Sequence, residues 1–110
     1  MLSALIRRFH EAKSKNSSSV ILWGTGSPRR EFIYVDDVVD ACILLLKSHL
    51  DIDNLPINIG VGEDMSIKSL ASKISRFIGY EGVIKWDETK PDGAPSKLLC
   101  NNKIKSIGWK

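Results

Sequence analysis

The chain has 110 residues, of which 43% are apolar and 26% charged. This composition is typical of one soluble globular domain or part of one. No apolar run reaches the ~18 residues of a membrane span, and the N-terminus lacks the basic-then-apolar order of a secretory signal. The net charge of +3 fits either an anionic ligand or an ordinary basic surface, and no run of five like charges marks a nucleic-acid-binding arm.

The cysteines and histidines do not form a recognisable chemical motif. Cys42 and Cys100 are too few for a disulfide framework, which favours a reducing cytoplasm. Cys42 lies in an apolar helical pattern and is predicted to be a core residue. His10 and His49 have no partners at metal-ligand spacing, so no metal site is predicted.

The first third of the chain is predicted to form a helix, a strand, a turn and a second strand. Apolar residues at helical spacing predict an amphipathic helix over residues 2–14. A polar loop at 15–19 leads to an apolar strand over 20–23. A glycine turn over 24–28 is followed by a strand predicted over 31–35.

The next helix is unusually apolar. Asp36 or Asp37 is predicted to cap it, because an Asp side chain can accept from the unpaired N–H groups of a first turn. Residues 38–46 make it apolar on most sides, which is typical of a helix buried between layers. We expect an isolated chain of this length to expose that surface, and to aggregate or self-associate.

The second half of the chain alternates in the same way. A polar connection over 51–56 precedes a strand over 57–60, which runs into a turn at Gly60–Gly62. Ser66 is the predicted N-cap of a helix that Gly79 ends. The apolar stripe of this helix is predicted to consist of Ile67, Leu70, Ala71, Ile74, Phe77 and Ile78. A strand over 83–86, a loop over 90–95 and a short helical segment over 101–107 are predicted to follow it. This order indicates an α/β layered architecture.

Neither Gly-x-Gly turn has the dinucleotide-binding fingerprint. Gly24-Thr25-Gly26 continues into Ser27-Pro28, and Gly60-Val61-Gly62 has no third glycine. The fingerprint requires a glycine-rich turn that follows a strand and opens a helix. No cofactor-binding residue is therefore predicted in this chain.

Five segments carry a family resemblance. Arg30–Asp37 (REFIYVDD) and Asn58–Gly62 with Ser66-Ile67 resemble the C-terminal half of extended short-chain dehydrogenase/reductases that act on nucleotide sugars. Three further segments narrow the resemblance to the GDP-L-fucose synthase family. They are Ala4–Ala12, Trp23–Gly26, and Trp86-Asp87 with Lys90–Leu99.

The resemblance implies a fold and an activity. The chain is expected to be α/β, the C-terminal substrate-binding part of such an enzyme with the Rossmann N-terminal half absent, and residues 1–110 a single partial domain. The family catalyses NADPH-dependent 3,5-epimerisation and 4-reduction of GDP-4-keto-6-deoxy-D-mannose. NADP(H) is the full-length enzyme's cofactor, and none is expected to be held by this chain alone. The family's catalytic residues match no position here, so the chain itself is expected to be inactive.

The implied partners follow from the same resemblance. They are a GDP-sugar substrate and the missing Rossmann half, with a homodimer expected for the full-length enzyme. Neither a nucleic acid nor a membrane is an expected partner, and a cytoplasmic location is expected. Alternative interpretations are a non-catalytic nucleotide-sugar-binding module, or a fragment of another nucleotide-sugar epimerase or dehydratase.

Four residues match family positions that contact the GDP-sugar: Arg8, Trp23, Arg30 and Lys97. The arginines suit pyrophosphate oxygens, the lysine offers a point charge, and the indole offers a flat apolar face. Each also has a simpler interpretation: a solvated helix residue for Arg8, core at a strand end for Trp23, an exposed turn charge for Arg30 and a surface lysine for Lys97. The sequence departs from the family at Cys100, where Asp is usual, and we expect a weaker cap there.

Overall fold

The computed structural model describes residues 1–48 and 56–110. His49 and almost all of the connection predicted at 51–56 lie outside these ranges. The helices are α1 (Leu2–Ser14), α2 (Val35–Lys47), α3 (Ile67–Ile78) and α4 (Asn102–Ser106), and the strands are β1 (Ser19–Trp23), β2 (Arg29–Arg30), β3 (Met65–Ser66) and β4 (Val83–Asp87). The order is α/β, as predicted.

The chain divides into two compact units. The first unit is Met1–Arg29 with Met65–Ser96, and the second unit is Arg30–Asp64 with Lys97–Lys110. The segments of each unit are far apart in sequence, so each unit depends on long-range contacts.

The first unit is built on a parallel strand pair. β1 and β4 align from Ser19 opposite Val83 to Trp23 opposite Asp87. α1 packs against both α3 and β1. The fully buried Phe9 ring lies 5.6 Å from the Tyr80 ring, centroid to centroid. This core places the carboxyl ends of both strands at one edge, where the turn after β1 begins.

α3 begins and ends as its sequence predicts. The Ser66 hydroxyl accepts from the Ser69 N–H at 3.1 Å, and Gly79 ends the helix in the left-handed conformation at φ 74°. The predicted apolar stripe is wrong at Phe77, whose side chain is exposed. Leu70, Ala71 and Ile74 are buried as predicted, and Ser75 is buried in addition, so the buried face is rotated away from Phe77.

Two predicted strands do not form. β2 covers only Arg29–Arg30, and neither 31–35 nor 57–60 is a strand. A strand needs a neighbouring strand to complete its backbone hydrogen bonds. Around 57–60, side chains supply hydrogen bonds instead, because the Asn101 amide donates to the Gly60 carbonyl at 2.8 Å.

The prediction that Asp36 or Asp37 caps α2 is also wrong. The helix begins at Val35 after an extended Tyr34, and no side-chain cap bond is found at this end within the described ranges. Both aspartates therefore lie in the first turn, where the positive end of the helix dipole favours carboxylates.

One apolar face of α2 is exposed to solvent. Ala41 is buried, whereas Leu46 is 85% exposed and Val35 is 63% exposed. The prediction that Cys42 is a core residue is wrong, since this thiol is exposed. The expectation that an isolated chain exposes the apolar surface of this helix is confirmed.

Candidate functional site

The turn at the carboxyl end of β1 is the first element of the candidate site. Trp23 is the last residue of the strand, and the Gly24 N–H donates to the Asp87 carbonyl at 2.9 Å. The Gly26 carbonyl accepts from the Lys68 N–H at 2.8 Å. These bonds fix the turn against the end of β4 and the start of α3.

A carboxylate from a distant loop completes the turn. Asp92 accepts from the Thr25 N–H at 2.9 Å and from the Thr25 hydroxyl at 2.6 Å. The same hydroxyl oxygen accepts from the Ser27 N–H at 3.1 Å. Because the Thr25 hydroxyl, and then its N–H, donate to the carboxylate, the pKa of Asp92 lies below its ordinary value. The loop at 90–95 is thereby tied to the turn.

Trp23 stands at the open side of this turn. Its side chain is 66% exposed, and the Lys90 ammonium lies 5.6 Å from the ring centroid. This is cation–π range. The interpretation of Trp23 as a core residue is wrong, because most of the residue is exposed to solvent.

Arg8 is directed toward the same strand. Its guanidinium donates from Nη1 to the Ile21 carbonyl at 3.0 Å. Ile21 lies two residues before Trp23, so the structure brings these two predicted site residues to one strand. The exposed guanidinium has further N–H groups, which suit an anionic group.

The second unit has its own carboxylate anchor. The half-buried Glu31 accepts from the Gly62 N–H at 2.6 Å through one oxygen and from the Leu99 N–H at 3.2 Å through the other. Gly60 leaves room for this carboxylate, since a Cβ there would lie 2.7 Å from Glu31 Oε1. Glu31 thus joins the second glycine turn to the segment after residue 96.

A mainly apolar cavity of about 530 Å³ adjoins this anchor. It is lined by Glu31, Ile33, Ile59, Gly60, Lys97, Leu98 and Leu99. Lys97 is exposed at this cavity, which makes it a lining residue as well as a surface lysine. Arg30 is half-buried next to Glu31 and makes interactions of its own.

The structure therefore places the four predicted residues in two pairs. Arg8 and Trp23 are in the first unit, and Arg30 and Lys97 are in the second unit. Sequence reasoning missed Asp92 and Glu31 as the residues that hold the two turns. A signal existed in both cases, since each is a carboxylate inside a segment that carries the family resemblance.

Neither glycine turn has the structural context of a dinucleotide-binding turn. The first turn leads to β2 and the second to β3, so neither opens a helix directly. α2 has acidic residues in its first turn, which oppose an anion, and the N-terminus of α3 is capped by Ser66. The described residues do not fit a dinucleotide phosphate site of that kind.

Residues 1–48 and 56–110 contain no cluster of three His, Cys, Asp or Glu side chains able to hold a metal ion. None of the helices in these ranges is long and apolar enough to cross a membrane.

The sequence pattern of a known family covers the first part of the chain. Residues 1–60 match the NAD dependent epimerase/dehydratase family. The chain belongs to this family. The match includes β1, the first glycine turn and α2.

Individual relatives of the epimerase/dehydratase family are similar over almost the whole chain. The GDP-L-fucose synthase 1 of Arabidopsis thaliana is 48% identical over 99% of the chain, and a GDP-L-fucose synthase of Sinorhizobium fredii is 43% identical over 100%. The alignments cover 33% and 34% of those two proteins. The chain thus spans about a third of the length of these relatives.

The fold is also found in solved structures. The structure of a GDP-mannoheptose C4 reductase from Campylobacter jejuni with NADP bound is similar with a TM-score of 0.84 and 35% identity. The similarity covers 99% of this chain and 38% of that one. The α/β arrangement described above is therefore part of the fold of such a reductase.

Proposed function

We propose that the chain forms the nucleotide-sugar-binding part of a GDP-L-fucose synthase-like enzyme. In such an enzyme, GDP-4-keto-6-deoxy-D-mannose is epimerised at C3 and C5 and reduced at C4 with NADPH. The observation that carries the proposal is the exposed Trp23 face at the carboxyl end of a parallel strand pair, with the Lys90 ammonium beside it.

The position of this face supports a ligand-binding role. In α/β sheets, ligands bind beyond the carboxyl ends of the strands. Trp23 and Asp87 are the last residues of β1 and β4 and lie opposite each other. An exposed indole at this edge offers stacking to a nucleobase or an apolar face to a sugar, and such stacking is worth about 1–3 kcal/mol per base.

The charges in the first unit suit a diphosphate. Arg8 presents a fork of N–H donors near β1, and Lys90 adds a cation beside Trp23. Arginine forms paired, charge-assisted hydrogen bonds with phosphate oxygens. We propose Arg8 and Trp23 as substrate-binding residues of this unit.

The second unit contributes a cation at an apolar cavity. Lys97 lines the cavity of about 530 Å³ described above, next to Leu98 and Ile59. This combination suits a ligand with an anionic group and a less polar body. We propose Lys97 and Arg30 as substrate-binding residues here, in accordance with the family resemblance.

The chemistry is proposed to lie outside this chain. We assign no residue of the chain a catalytic role, and the described residues do not fit a dinucleotide phosphate site. We infer that residues 1–110 are a single partial domain of a cytoplasmic enzyme that is homodimeric at full length. Oxidation of NADPH by the purified chain in the presence of GDP-4-keto-6-deoxy-D-mannose would contradict this.

A binding module without catalysis is the second candidate. The observation that favours it is the position of the proposed contact residues. The chain spans only about a third of the length of its relatives, yet it contains all four of these residues. This candidate predicts GDP binding by the chain alone. The first candidate predicts in addition that the rest of the enzyme strengthens this binding.

Calorimetric titration with GDP at low salt tests the binding proposal. We expect weak binding by the purified chain, and a lower affinity for Trp23→Ala, Arg30→Ala and Lys97→Ala. Lys105→Ala is the matched control, because Lys105 is an exposed lysine of α4 away from the cavity lining. Equal affinities of Lys97→Ala and Lys105→Ala would contradict the assignment of Lys97, and no heat from any protein would contradict the binding-module candidate.

A further inference from the structure

Glu31 holds two segments of the second unit with one carboxylate. Its Oε1 accepts from the Gly62 N–H at 2.6 Å, and its Oε2 accepts from the Leu99 N–H at 3.2 Å. Leu99 lies two residues after Lys97, the cation that lines the cavity of this unit. The carboxylate therefore fixes the backbone next to that cation.

The backbone that follows has anchors of its own. The Cys100 carbonyl accepts from the Asn58 amide at 3.3 Å, and the Asn101 amide donates to the Gly60 carbonyl at 2.8 Å. Neither bond involves the Glu31 carboxylate, so we expect both to persist without it. Loss of the carboxylate should then release the first residues after position 96, where the cation lies, and not the whole segment.

Gly60 makes room for the carboxylate. A Cβ at this position would lie 2.7 Å from Oε1 and 2.9 Å from Oε2 of Glu31, which is too close for either oxygen to stay in place. The φ of Gly60 is not positive, so its backbone conformation would suit an alanine as well. The need for a glycine here therefore comes from the carboxylate and not from the backbone.

The charge of Glu31 and its hydrogen bonds have opposite consequences for an anionic ligand. The carboxylate lines the same cavity as Lys97, and a negative charge there repels a diphosphate. If Glu31 acted through its charge alone, neutralising it would strengthen the binding of GDP. If it acts by holding the backbone, neutralising it would weaken that binding. The sign of the change separates the two roles.

We propose that Glu31 is a positioning residue for nucleotide-sugar binding, and that its bond to the Leu99 N–H sets the place of the Lys97 ammonium at the cavity. This inference rests on the proposed function, because it takes Lys97 to be a substrate-binding residue. Gly60 belongs to the same arrangement, since it admits the carboxylate. Glu31 itself acts through the backbone and not by contact with the ligand.

Glu31→Gln tests the proposal by calorimetric titration with GDP at low salt. A glutamine has one acceptor oxygen in place of two, and we expect it to keep the shorter bond to Gly62 and to lose the longer bond to Leu99. The affinity for GDP should fall about threefold, although a negative charge has been removed. Amide hydrogen exchange should become faster at Leu99 and stay unchanged at Gly62.

A double-mutant cycle shows whether Glu31 acts through Lys97. In the parent protein, Lys97→Ala should lower the affinity for GDP about fivefold. In the Glu31→Gln protein it should lower the affinity about twofold or less, because the ammonium is no longer held in place. Arg8→Ala is the comparison, since Arg8 belongs to the first unit. Its effect should be the same in both backgrounds.

Two further variants separate position from charge and folding. Gly60→Ala displaces the carboxylate but keeps its charge, and we expect a loss of GDP affinity of about threefold again. Glu63→Gln removes an exposed carboxylate of the same unit and should not lower the affinity. Circular dichroism checks that each variant retains its helix content. If Glu31→Gln loses helix content, Gly60→Ala provides the test in its place.

The possible failures point to different conclusions. An unchanged or higher affinity of Glu31→Gln or Gly60→Ala, with GDP binding by the parent protein, would overturn the role of Glu31 and leave the proposed function standing. Equal effects of Lys97→Ala in both backgrounds would show that Glu31 does not act through Lys97. No GDP binding by the parent protein would contradict the binding function itself, and this inference with it.

Discussion

The two glycine turns look alike in sequence but are built differently. Each is a Gly-x-Gly segment held by a carboxylate from elsewhere in its own unit: Asp92 binds Thr25, and Glu31 binds Gly62. The first turn follows a five-residue strand, while the second turn follows no regular element in the described ranges.

This difference indicates where the stability of each turn originates. Around the first turn, backbone hydrogen bonds of the sheet already set the chain path, and Asp92 adds to them from a solvent-exposed position. Around the second turn, the half-buried Glu31 and the buried Asn101 supply bonds that a neighbouring strand would otherwise provide. Side-chain anchors therefore matter more in the second unit.

Removing the second anchor should have the largest effect. Glu31→Ala leaves the Gly62 and Leu99 N–H groups without their acceptor, and we expect a loss of about 2–3 kcal/mol in the free energy of unfolding. Urea denaturation measures this loss. Glu63→Ala, an exposed glutamate of the same unit, is expected to change it by less than about 0.5 kcal/mol. Similar losses for both variants would show that Glu31 is no special anchor.

Adding a Cβ to the first turn should lower the free energy of unfolding somewhat less than Glu31→Ala does. Gly26 has φ 75°, and its Cβ would lie 2.6 Å from the Trp86 ring, so we expect Gly26→Ala to lower the unfolding free energy by about 2 kcal/mol. Gly108→Ala is the matched control, because Gly108 has φ 105° but no atom within 4 Å of the added Cβ. Equal losses would mean that backbone strain alone, and not the indole contact, limits the turn.

The sequence predicted regular elements better than the segments between them. α1, β1, α3 and β4 formed as predicted because periodicity and the Ser66 and Gly79 caps are local signals. The strands at 31–35 and 57–60 were wrong because strand formation depends on a partner that periodicity does not reveal. The exposure of Cys42 was missed for a related reason, since an apolar pattern shows that a face suits burial, not that a partner is present.

The candidate site was predictable only in part. Trp23 and Lys97 were singled out by family resemblance, and the structure places them at a strand end and at a cavity. Glu31 and Asp92 were missed because their hydrogen bonds bridge 31 and 67 residues of sequence. Bonds of that range cannot be identified from local patterns.

Removing the first anchor, the Asp92 carboxylate, should have the smallest effect on the free energy of unfolding, and this effect should depend on pH. The Thr25 hydrogen bonds lower the pKa of Asp92 in the folded chain, so its stabilising contribution is present above the unfolded pKa and is lost as the pH falls through the folded pKa. We expect wild type to be more stable than Asp92→Asn at pH 7, with the difference vanishing at acidic pH below the ordinary carboxyl range. Urea denaturation at both pH values checks this.

A second exposed carboxylate provides the control for that pH dependence. Glu88→Gln should show little difference from wild type at either pH, since Glu88 is exposed. A difference between wild type and Asp92→Asn that stays constant with pH would show that the Thr25 bonds do not depend on the carboxylate charge.

The central claim is that GDP-sugars bind at the carboxyl end of β1, against Trp23. NMR of the indole N–H groups during a GDP titration tests it most directly, because the chain has three tryptophans that Trp→Phe substitutions can assign. We predict a saturable shift of the Trp23 signal and a much smaller one for Trp109, with UDP weaker than GDP. No shift of Trp23, or equal shifts of all three signals, would contradict the account.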